Sequence, residues 1–510
     1  MTGFRKLLLS RLAGAFRDFS TLRDYQENEI VPFLMENPFS AAFVDMGMGK
    51  TVSVLTVLQR LFTLGRVNRV LIVAPLRVAV QTWPTEIREW SHTWWMTFTV
   101  IRADETHPDL LEAMRTARVD EKFDDFGSPN HAANKAKTAH IEKQKQDLAR
   151  TPTIIHIINR EAVAWLVAFW GKDWPYDCVI VDESTSFSDH RTARWKALNM
   201  VRPKITRLHL LSGIPAPEGI EDYFAQVYLL DRGERFGRGI TRFKHTYMMP
   251  APPSYNPRYK WVPLPGADRL VANKIADLCL VMREEDYLDR EKAVIIQRPI
   301  ILDKSEMELY RAFEKDLILS LPEVEIEAEN GAVLGQKLLQ MASGAVYDNE
   351  RKWHHIHDHK IEEVTQLREE AQGSPLLVAY WHRSSLERLR KAFPKAVKMD
   401  REGKCVPNWN NGKIDMLLIH PRSAGHGLNM QYGPGHILVW FDNPLPYEDY
   451  AQTIKRLDRP GQAKVVRVYH LITRGTVDVK VVPVLMNKGS AQDIVKRHIR
   501  DLRRRWSTTA

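Results

Sequence analysis

The sequence AAFVDMGMGKT, residues 41–51, sets an apolar run, a glycine-containing turn and a lysine–threonine pair in immediate succession. The apolar run predicts a buried strand, and the apolar periodicity of residues 52–61 predicts a helix after the turn. Small residues in such a turn let backbone N–H groups converge on phosphate oxygens, and the helix start adds positive potential. Lys50 is placed to reach the β- and γ-phosphates, and the Thr51 hydroxyl suits Mg²⁺. Val44 departs from the full phosphate-loop pattern, because it stands at the first glycine position.

An acidic pair, Asp182-Glu183, follows a second apolar run at residues 178–181. The carboxyl ends of parallel strands are where open α/β sheets bind ligands. Asp182 would hold Mg²⁺ there, and Glu183 would orient or deprotonate an attacking water. Such a pair is weak alone, since strand ends often carry solvated acids, but together with Lys50 and Thr51 it predicts a nucleotide site.

Apolar runs alternate with helical patterns in both halves of the chain, which predicts an α/β protein with two parallel-sheet lobes and a mostly helical insertion between them. We place lobe 1 at residues 1–235, the insertion at 236–345, lobe 2 at 346–490 and a basic tail at 491–510. Within lobe 1, the charged residues 105–150 predict a solvent-exposed helical insertion.

The composition fits an ordinary globular protein. Of 510 residues, 44% are hydrophobic, and 73 basic against 63 acidic side chains give a net charge of +10. These values exclude a disordered chain, and no apolar run reaches the roughly 18 residues that a membrane helix needs. The three cysteines lie far apart and predict neither a disulfide framework nor a zinc site, which fits a reducing, cytoplasmic compartment. The basic residues 1–17 faintly suggest a transit peptide but favour a short surface helix.

Eight segments, in order along nearly the whole chain, resemble the motifs of superfamily 2 helicase-type ATPases, specifically of the Snf2 branch. In the first half these are LRDYQ at 22–26, DMGMGKT at 45–51, VAPLR at 73–77, DEST at 182–185 and LSGIPA at 211–216. In the second half they are LVAY at 377–380, HPRSAGHGLNMQ at 420–431 and QTIKRLDRPGQ at 452–462. The segments HPRSAGHGLN at 420–429 and KLLQMASGAVY at 337–347 are most similar to compact Snf2-type proteins of bacteriophages.

This resemblance implies two RecA-like lobes, with ATP and Mg²⁺ as cofactors, and it turns the Val44 departure into a family trait. Arg456 and Arg459, three apart on one helix face, would reach from lobe 2 to the γ-phosphate held by lobe 1. Gln26 would read the adenine edge. The implied catalytic residues are Lys50, Glu183, Arg456 and Arg459. The implied nucleotide contacts are Arg23, Gln26, Met46, Gly47, Met48, Gly49, Lys50, Thr51, Gly427, Asn429 and Gln452, and the implied metal ligands are Thr51 and Asp182.

Snf2-type enzymes track a duplex through the backbone of one strand, which requires phosphate-binding groups instead of base readers. The candidates by motif position are Arg77, Arg160, Arg383, Arg422, Ser423 and His426. Each of these residues is equally consistent with a surface or capping role.

Two departures from the family pattern concern the coupling between ATP hydrolysis and nucleic-acid binding. Ser184-Thr185 stands where the family often has Ala-His, and Ile214 stands where threonine is common.

The function expected from these motifs is an ATP-dependent translocase or remodeller of double-stranded DNA. A strand-separating helicase on single-stranded DNA or RNA is the same-class alternative, although the sequence identifies no wedge hairpin for it. An ATP-gated clamp or scaffold is the alternative from another class, and the complete set of catalytic residues argues against it. The expected setting is a monomer in the cytoplasm of a bacterial host, acting on DNA with phage or host DNA-processing proteins.

Overall fold

The computed structural model describes residues 16–104, 112, 131–216, 219–250, 261–289, 291–319, 329–348, 350, 352–400, 403–422, 428–444 and 446–486. Three residues predicted for the site, Ser423, His426 and Gly427, lie outside this part of the chain. So do the basic tail at 491–510 and nearly all of residues 105–130.

The first lobe is built on a parallel sheet with seven strands in the described residues, in the order β3-β4-β2-β5-β6-β1-β9. Its strands are entirely buried at the centre, as apolar runs covered by helices on both faces require. The strands are β1 (Phe39–Val44), β2 (Val70–Ala74), β3 (Phe98–Val100), β4 (Ile155–Asn159), β5 (Cys178–Asp182), β6 (Arg207–Ser212) and β9 (Cys279–Met282).

Helices flank this sheet and join its strands. They are α1 (Val31–Glu36), α2 (Lys50–Thr63), α3 (Trp83–Glu89), α4 (His131–Arg150), α5 (Val163–Trp170), α6 (Ala193–Val201), α7 (Asp222–Asp231), α8 (Ile240–Tyr247), α9 (Ala267–Ile275) and α10 (Glu284–Tyr287). A short antiparallel pair, β7 (Met248–Pro250) and β8 (Trp261–Pro263), follows α8. Strand β1 lies between β6 and β9, so the turn after β1 emerges beside the ends of both neighbours.

The second lobe has its own parallel sheet, with six strands among the described residues in the order β10-β17-β16-β13-β15-β14. The strands are β10 (Val294–Ile300), β13 (Leu376–Ala379), β14 (Val397–Lys398), β15 (Met416–Ile419), β16 (Ile437–Trp440) and β17 (Arg467–Thr473). The helices are α11 (Lys304–Leu319), α12 (Glu329–Ala342), α13 (His359–Glu370), α14 (Arg383–Ala392), α15 (Val406–Asn410), α16 (Tyr447–Ile454) and α17 (Asp478–Met486). The hairpin β11 (Ala345–Tyr347) and β12 (Trp353–His355) precedes α13. The predicted α/β class with two parallel-sheet lobes is confirmed.

The segment 236–345 differs from the separate helical insertion that the sequence predicts. Strand β9 extends the first sheet by pairing with β1, and β10 extends the second sheet by pairing with β17. Before β9, Phe243 and Val271 are buried in the core of the first lobe. After β10, Tyr310 is buried in the core of the second. The apolar residues of this segment are therefore shared between two cores, and the chain passes from one lobe to the other between residues 282 and 294.

Within the described residues, no helix combines the length and apolar character that crossing a membrane requires.

Candidate active site

A cavity of about 410 Å³ lies between the lobes, and both halves of the chain line it. From the first lobe it is lined by Arg17, Thr21, Arg23, Gln26, Met46, Gly47, Gly49, Lys50, Thr51, Val52, Val78, Thr82, Glu86, Trp90, Asp182 and Glu183. From the second lobe it is lined by Asn429, Gln431, Tyr432, Gln452, Arg456, Arg459 and Pro460. The structure thus brings together most of the predicted nucleotide-binding, catalytic and metal-binding side chains.

The turn between β1 and α2 is the predicted phosphate loop, residues 45–49, and two glycines shape its backbone. Gly47 and Gly49 have φ angles of 88° and 80°, which L-residues with side chains rarely adopt. A Cβ atom on Gly49 would lie 2.1 Å from Nε2 of Gln26, and one on Gly47 would lie 3.0 Å from Cδ of Pro460. Both positions therefore require glycine, for backbone conformation and for space. The contact with Pro460 also shows that the second lobe packs directly on this turn.

Lys50 begins α2 and folds its side chain back over the turn. Its Nζ donates to the carbonyl oxygen of Val44 at 2.5 Å and to that of Asp45 at 3.2 Å. Burial lowers the pKa of Lys50, while the nearby carboxylates of Glu183 and Asp182 favour the charged form. A partly buried ammonium held by two carbonyl oxygens can exchange these bonds for phosphate oxygens.

The acidic pair lies at the end of β5, where the sequence predicts it. Oδ2 of Asp182 accepts a hydrogen bond from Nε1 of Trp83 at 3.0 Å, and its Oδ1 accepts from the backbone N–H of Glu183 at the same distance. Burial is the main cause that raises the pKa of both carboxyls. Glu183 raises the pKa of Asp182 further, and the charge of Lys50 opposes the shift in both. Glu183 has a φ angle of 51°, an uncommon conformation that turns its side chain away from the strand direction.

This pair suits a divalent cation. A cation would relieve the crowding of two buried carboxylates, and Thr51 lines the same cavity as Asp182. Thr51 and Asp182 could hold Mg²⁺, which would supply positive charge to phosphate oxygens. Glu183 is left to orient a water molecule.

The two predicted arginine fingers line the cavity, but they do not lie on a helix as the sequence suggests. Helix α16 ends at Ile454, and Arg456 and Arg459 follow in consecutive turns. Pro460 disfavours helical backbone at Arg459, the residue before it. Arg459 donates from Nη1 to Oδ1 of Asn429 at 2.8 Å. Burial lowers the pKa of Arg456 to about 9, with the neighbouring Arg459 as the next cause, so this cavity presents concentrated positive charge.

Gln26 is used mainly to hold the phosphate loop. Its Oε1 accepts from the backbone N–H of Arg23 at 2.9 Å, and its Nε2 donates to the carbonyl oxygen of Met48 at 2.8 Å. The hydroxyl of Tyr25 donates to the same oxygen at 3.2 Å. Met48 is fully buried and anchors the loop without lining the cavity. The reading of an adenine edge by Gln26 stays a prediction, and so does the role of Arg23, which lines the cavity.

A link between the segments at 182–185 and 211–216, whose coupling the sequence left open, runs through Gln226 on α7. The Ser184 hydroxyl donates to Oε1 of Gln226 at 2.7 Å. Nε2 of Gln226 donates in turn to the carbonyl oxygen of Pro215 at 2.7 Å. Gln226 is completely buried, so a serine and a glutamine connect the acidic segment to residues 211–216. The sequence offered no signal for this residue beyond its position after the motif.

Several residues that sequence reasoning missed join the two lobes. Nζ of Lys455 lies 2.6 Å from Oε2 of Glu284, and the backbone N–H of Glu284 donates to Oδ2 of Asp45 at 2.9 Å. The loop after α16, residues 455–460, carries Arg456 and Arg459 and is called the finger loop here. These contacts connect it to the phosphate loop through α10. Glu448, at the start of α16, accepts from Gln452 at 2.9 Å and has its pKa raised to about 7 by burial and by Glu183.

The predicted nucleic-acid contacts that the structure describes have different partners, and their role stays a prediction. Arg77 donates from Nη2 to the carbonyl oxygen of Asp400 at 2.7 Å, so it bridges the lobes. Arg160 pairs with the neighbouring Glu161. Arg383 is 83% exposed and pairs with Glu387 on α14.

Arg422 is placed differently from these three. It is 63% exposed, pairs with Asp449 and lies over the Trp381 ring at 5.0 Å. The Trp381 ring itself stacks on His420. A cationic and aromatic group of side chains therefore follows strands β13 and β15.

Comparison with known proteins gives the following matches. Residues 42–328 match the SNF2-related domain. A protein described as putative protein p41, from Acyrthosiphon pisum secondary endosymbiont phage 1, is 34% identical over 93% of this chain and 98% of its own length. The RAD54-like DNA repair and recombination protein of Danio rerio is 20% identical over 93% of this chain, which spans 66% of that longer protein. The solved SWI2/SNF2 ATPase core of Sulfolobus solfataricus in complex with dsDNA is 17% identical, with a TM-score of 0.39 over 93% of this chain and 92% of its own.

Proposed function

This chain belongs to the SNF2-related family, and we propose that it is an ATP-dependent motor that moves along double-stranded DNA. The SNF2-related domain match and the 34% identical phage protein confirm the family resemblance that the motifs predict. One observation supports the proposal most directly, namely the cavity that Lys50 and Glu183 share with Arg456 and Arg459. A clamp that only binds ATP has no need of a water-orienting carboxylate and two arginines beside the same lysine.

In the proposed reaction, ATP binds with its phosphates on the turn between Gly47 and Thr51. Lys50 releases the carbonyl oxygens of Val44 and Asp45 and contacts the terminal phosphates instead. Glu183 orients the attacking water. Arg456 and Arg459 stabilise the charge that spreads over the transferred phosphoryl group.

Hydrolysis would be coupled to lobe movement because the fingers and the lysine come from different lobes. Opening the cleft separates Arg459 from Glu183 and breaks the contact of Lys455 with Glu284 and that of Arg77 with Asp400. Each ATP cycle would therefore close and reopen the lobes, which is the movement that a translocase needs.

The substrate proposed is the phosphate backbone of a duplex. Arg422 and the Trp381 ring provide an exposed cationic and aromatic contact at the strand ends of the second lobe, and Arg383 follows on α14. Ser423 and His426 stay predictions for the same role. The RAD54-like relative is a DNA repair and recombination protein by name, and this supports DNA over RNA.

The test is the steady-state ATPase rate of the full chain alone, with duplex DNA, with single-stranded DNA and with RNA, beside triplex displacement on duplex DNA. We expect duplex DNA to stimulate hydrolysis most and the triplex strand to be displaced only with ATP. Lys50→Ala and Glu183→Gln should each abolish turnover with an unchanged circular dichroism spectrum. Lys172→Ala, on an exposed residue outside the cavity, is the control.

A rate that none of the three nucleic acids changes would contradict the motor. Stimulation by single-stranded DNA alone, together with unwinding of a forked duplex, would instead support the strand-separating helicase.

A further inference from the structure

A second group of chemically reactive side chains lies where helices α11 and α13 begin, and none of its members lines the interlobe cavity. Asp303, Glu306 and His359 each present one ligand atom, and these three atoms all lie within 4.8 Å of one another. His359 belongs to the tract WHHIHDH at residues 353–359, which places four imidazoles within six residues. Short histidine-rich tracts of this kind are typical of metal-binding proteins.

The contacts of His359 resemble those of a metal-ligating histidine. Its Nε2 lies 2.8 Å from Oε2 of Glu306, and its Nδ1 lies 3.2 Å from Oε2 of Glu362. Histidines that bind a metal through one ring nitrogen commonly donate the other N–H to a carboxylate, which fixes the tautomer and the ring orientation. Glu362 is in position to accept that N–H, and the Nε2 lone pair then points toward Glu306 and Asp303.

An independent observation comes from His357, two residues earlier. Its side chain is only 2% exposed, and neither ring nitrogen has a hydrogen-bond partner among the described residues. Its ring stacks on that of His359, with centroids 5.2 Å apart and an interplanar angle of 27°. A buried imidazole without hydrogen-bond partners destabilises the folded protein. A metal ion bound beside His359 would give the ring of His357 a partner.

We propose that Asp303, Glu306 and His359, with His357 beside them, bind a divalent transition-metal ion of the Zn²⁺ type. Imidazole nitrogen and carboxylate oxygen are established zinc ligands. At bond lengths of about 2.0–2.2 Å, ligand atoms on a tetrahedral ion lie roughly 3.3–3.5 Å apart. The contact between His359 and Glu306 therefore needs to widen by about half an ångström, and the carboxylate of Asp303 needs to move inward.

The ion would join two parts of the second lobe. Asp303 and Glu306 belong to the start of α11, which follows the edge strand β10, while His359 begins α13. The next residue, Lys360, is fully buried and bonds Asp478 at 2.8 Å and the carbonyl oxygen of Phe441 at 3.1 Å. A metal at His359 would therefore fix the segment that enters the second lobe against the buried network beneath β16 and β17.

The competing interpretation is a simple ion pair in which Glu306 caps α11. The backbone N–H of Asp303 donates to Oε2 of Glu306 at 2.8 Å, a common arrangement at helix starts. Under this interpretation His359 carries a proton where the proposal places a metal. The two interpretations differ in whether the protein binds a divalent ion at this place.

The test uses the full chain, without an affinity tag and freed of metal by a chelator. Zn²⁺ is titrated by isothermal calorimetry and by thermal unfolding, and Co²⁺ is titrated by visible absorption. We expect one saturable site, a higher melting temperature with Zn²⁺, and Co²⁺ absorption bands typical of nitrogen and oxygen ligands. His359→Ala and Glu306→Gln should each weaken binding at least about tenfold. The glutamine retains an oxygen for the helix cap, so this variant keeps its fold.

The matched control is His354→Ala, in the same tract. His354 is exposed and pairs with Asp348 at 2.8 Å, outside the proposed site, so this variant should bind Zn²⁺ as the unchanged chain does. The absence of saturable binding overturns the proposal. Binding that survives in both His359→Ala and Glu306→Gln also overturns it, because it shows an adventitious ion only. None of these readouts depends on ATP hydrolysis, so they do not depend on the proposed motor function.

Discussion

Gly49 shows how much a single position contributes to the candidate site. Its φ angle of 80° lies in the left-handed region, and it lets the backbone carry the chain from β1 into α2. Its missing side chain leaves room for Nε2 of Gln26, which holds the loop through the carbonyl oxygen of Met48. The glycine and the glutamine therefore form one unit, although 23 positions separate them (49 − 26).

Gly49→Ala should both strain the backbone and displace Gln26. We expect the free energy of unfolding to fall by about 1–3 kcal/mol and ATP affinity to fall at least about tenfold, since the loop loses its support. The control is Gly65→Ala, at a φ angle of 63° with no described atom within 4 Å of the new Cβ. Gly65→Ala should also lower the free energy of unfolding through backbone strain, but it should leave ATP affinity unchanged. Urea unfolding measures the first quantity, and ATP titration measures the second. A Gly49→Ala protein that binds ATP normally would contradict this role.

At the scale of elements, the finger loop after α16 is positioned by more than its two arginines. Lys455 contacts both Glu284 at 2.6 Å and Asp458 at 3.1 Å. Glu284 is 7% exposed, so this contact between lobes is largely shielded from water. Its backbone N–H binds Asp45. Helix α10 thereby contacts the phosphate loop and the finger loop at the same residue, Glu284.

A double-mutant cycle tests this contact. Lys455→Met, Glu284→Gln and the double variant should each lower kcat/KM for ATP, and the double variant should be little worse than either single one. We expect a coupling energy of about 1–3 kcal/mol. The control cycle uses Lys292→Met and Glu285→Gln, an exposed pair at 2.6 Å in the neighbouring segment, where coupling should be close to zero. Additive effects at Lys455 and Glu284 would show that the pair does not position the loop.

The elements differ in how far the sequence could predict them. The strands β1 and β5 and the start of α2 follow from apolar runs and a glycine turn, which are local signals. The assignment of β9 and β10 to different sheets does not, because the partner strands lie more than 150 residues away. The links of Lys455 to Glu284, 171 residues apart, and of Ser184 to Gln226, 42 residues apart, are likewise non-local, so no local pattern predicts them. Pro460 was a local signal against a helix at Arg459, and the motif spacing alone overrode it.

At the scale of the whole molecule, the closed arrangement of the lobes is sensitive to charge. Glu448 of the second lobe approaches Glu183 of the first, and burial raises its pKa to about 7 from an ordinary value near 4.5. Closure therefore favours the protonated form of Glu448. The stability that protonated Glu448 gives to the closed form is fully present below about pH 4.5. It decreases as the pH rises and is lost by about pH 7.

Without nucleotide, we expect the closed population to decrease between about pH 4.5 and 7, measured by energy transfer between one dye on each lobe. Glu448→Gln keeps the hydrogen-bonding shape and removes the charge, so it should remain closed across this range. An identical pH profile for both proteins would exclude Glu448 as the cause. Protein unfolding, followed by circular dichroism at each pH, is the control.

The central claim is that one active site is assembled from both halves of the chain. Single-turnover ATP hydrolysis with duplex DNA tests it most directly, in Arg456→Ala and Arg459→Ala, with ATP affinity measured separately by titration. We expect ATP affinity to stay within about tenfold of the unchanged chain and hydrolysis to fall by about 10³-fold or more. Hydrolysis at the unchanged rate in both variants would contradict the claim, because the second lobe would then contribute nothing to the reaction.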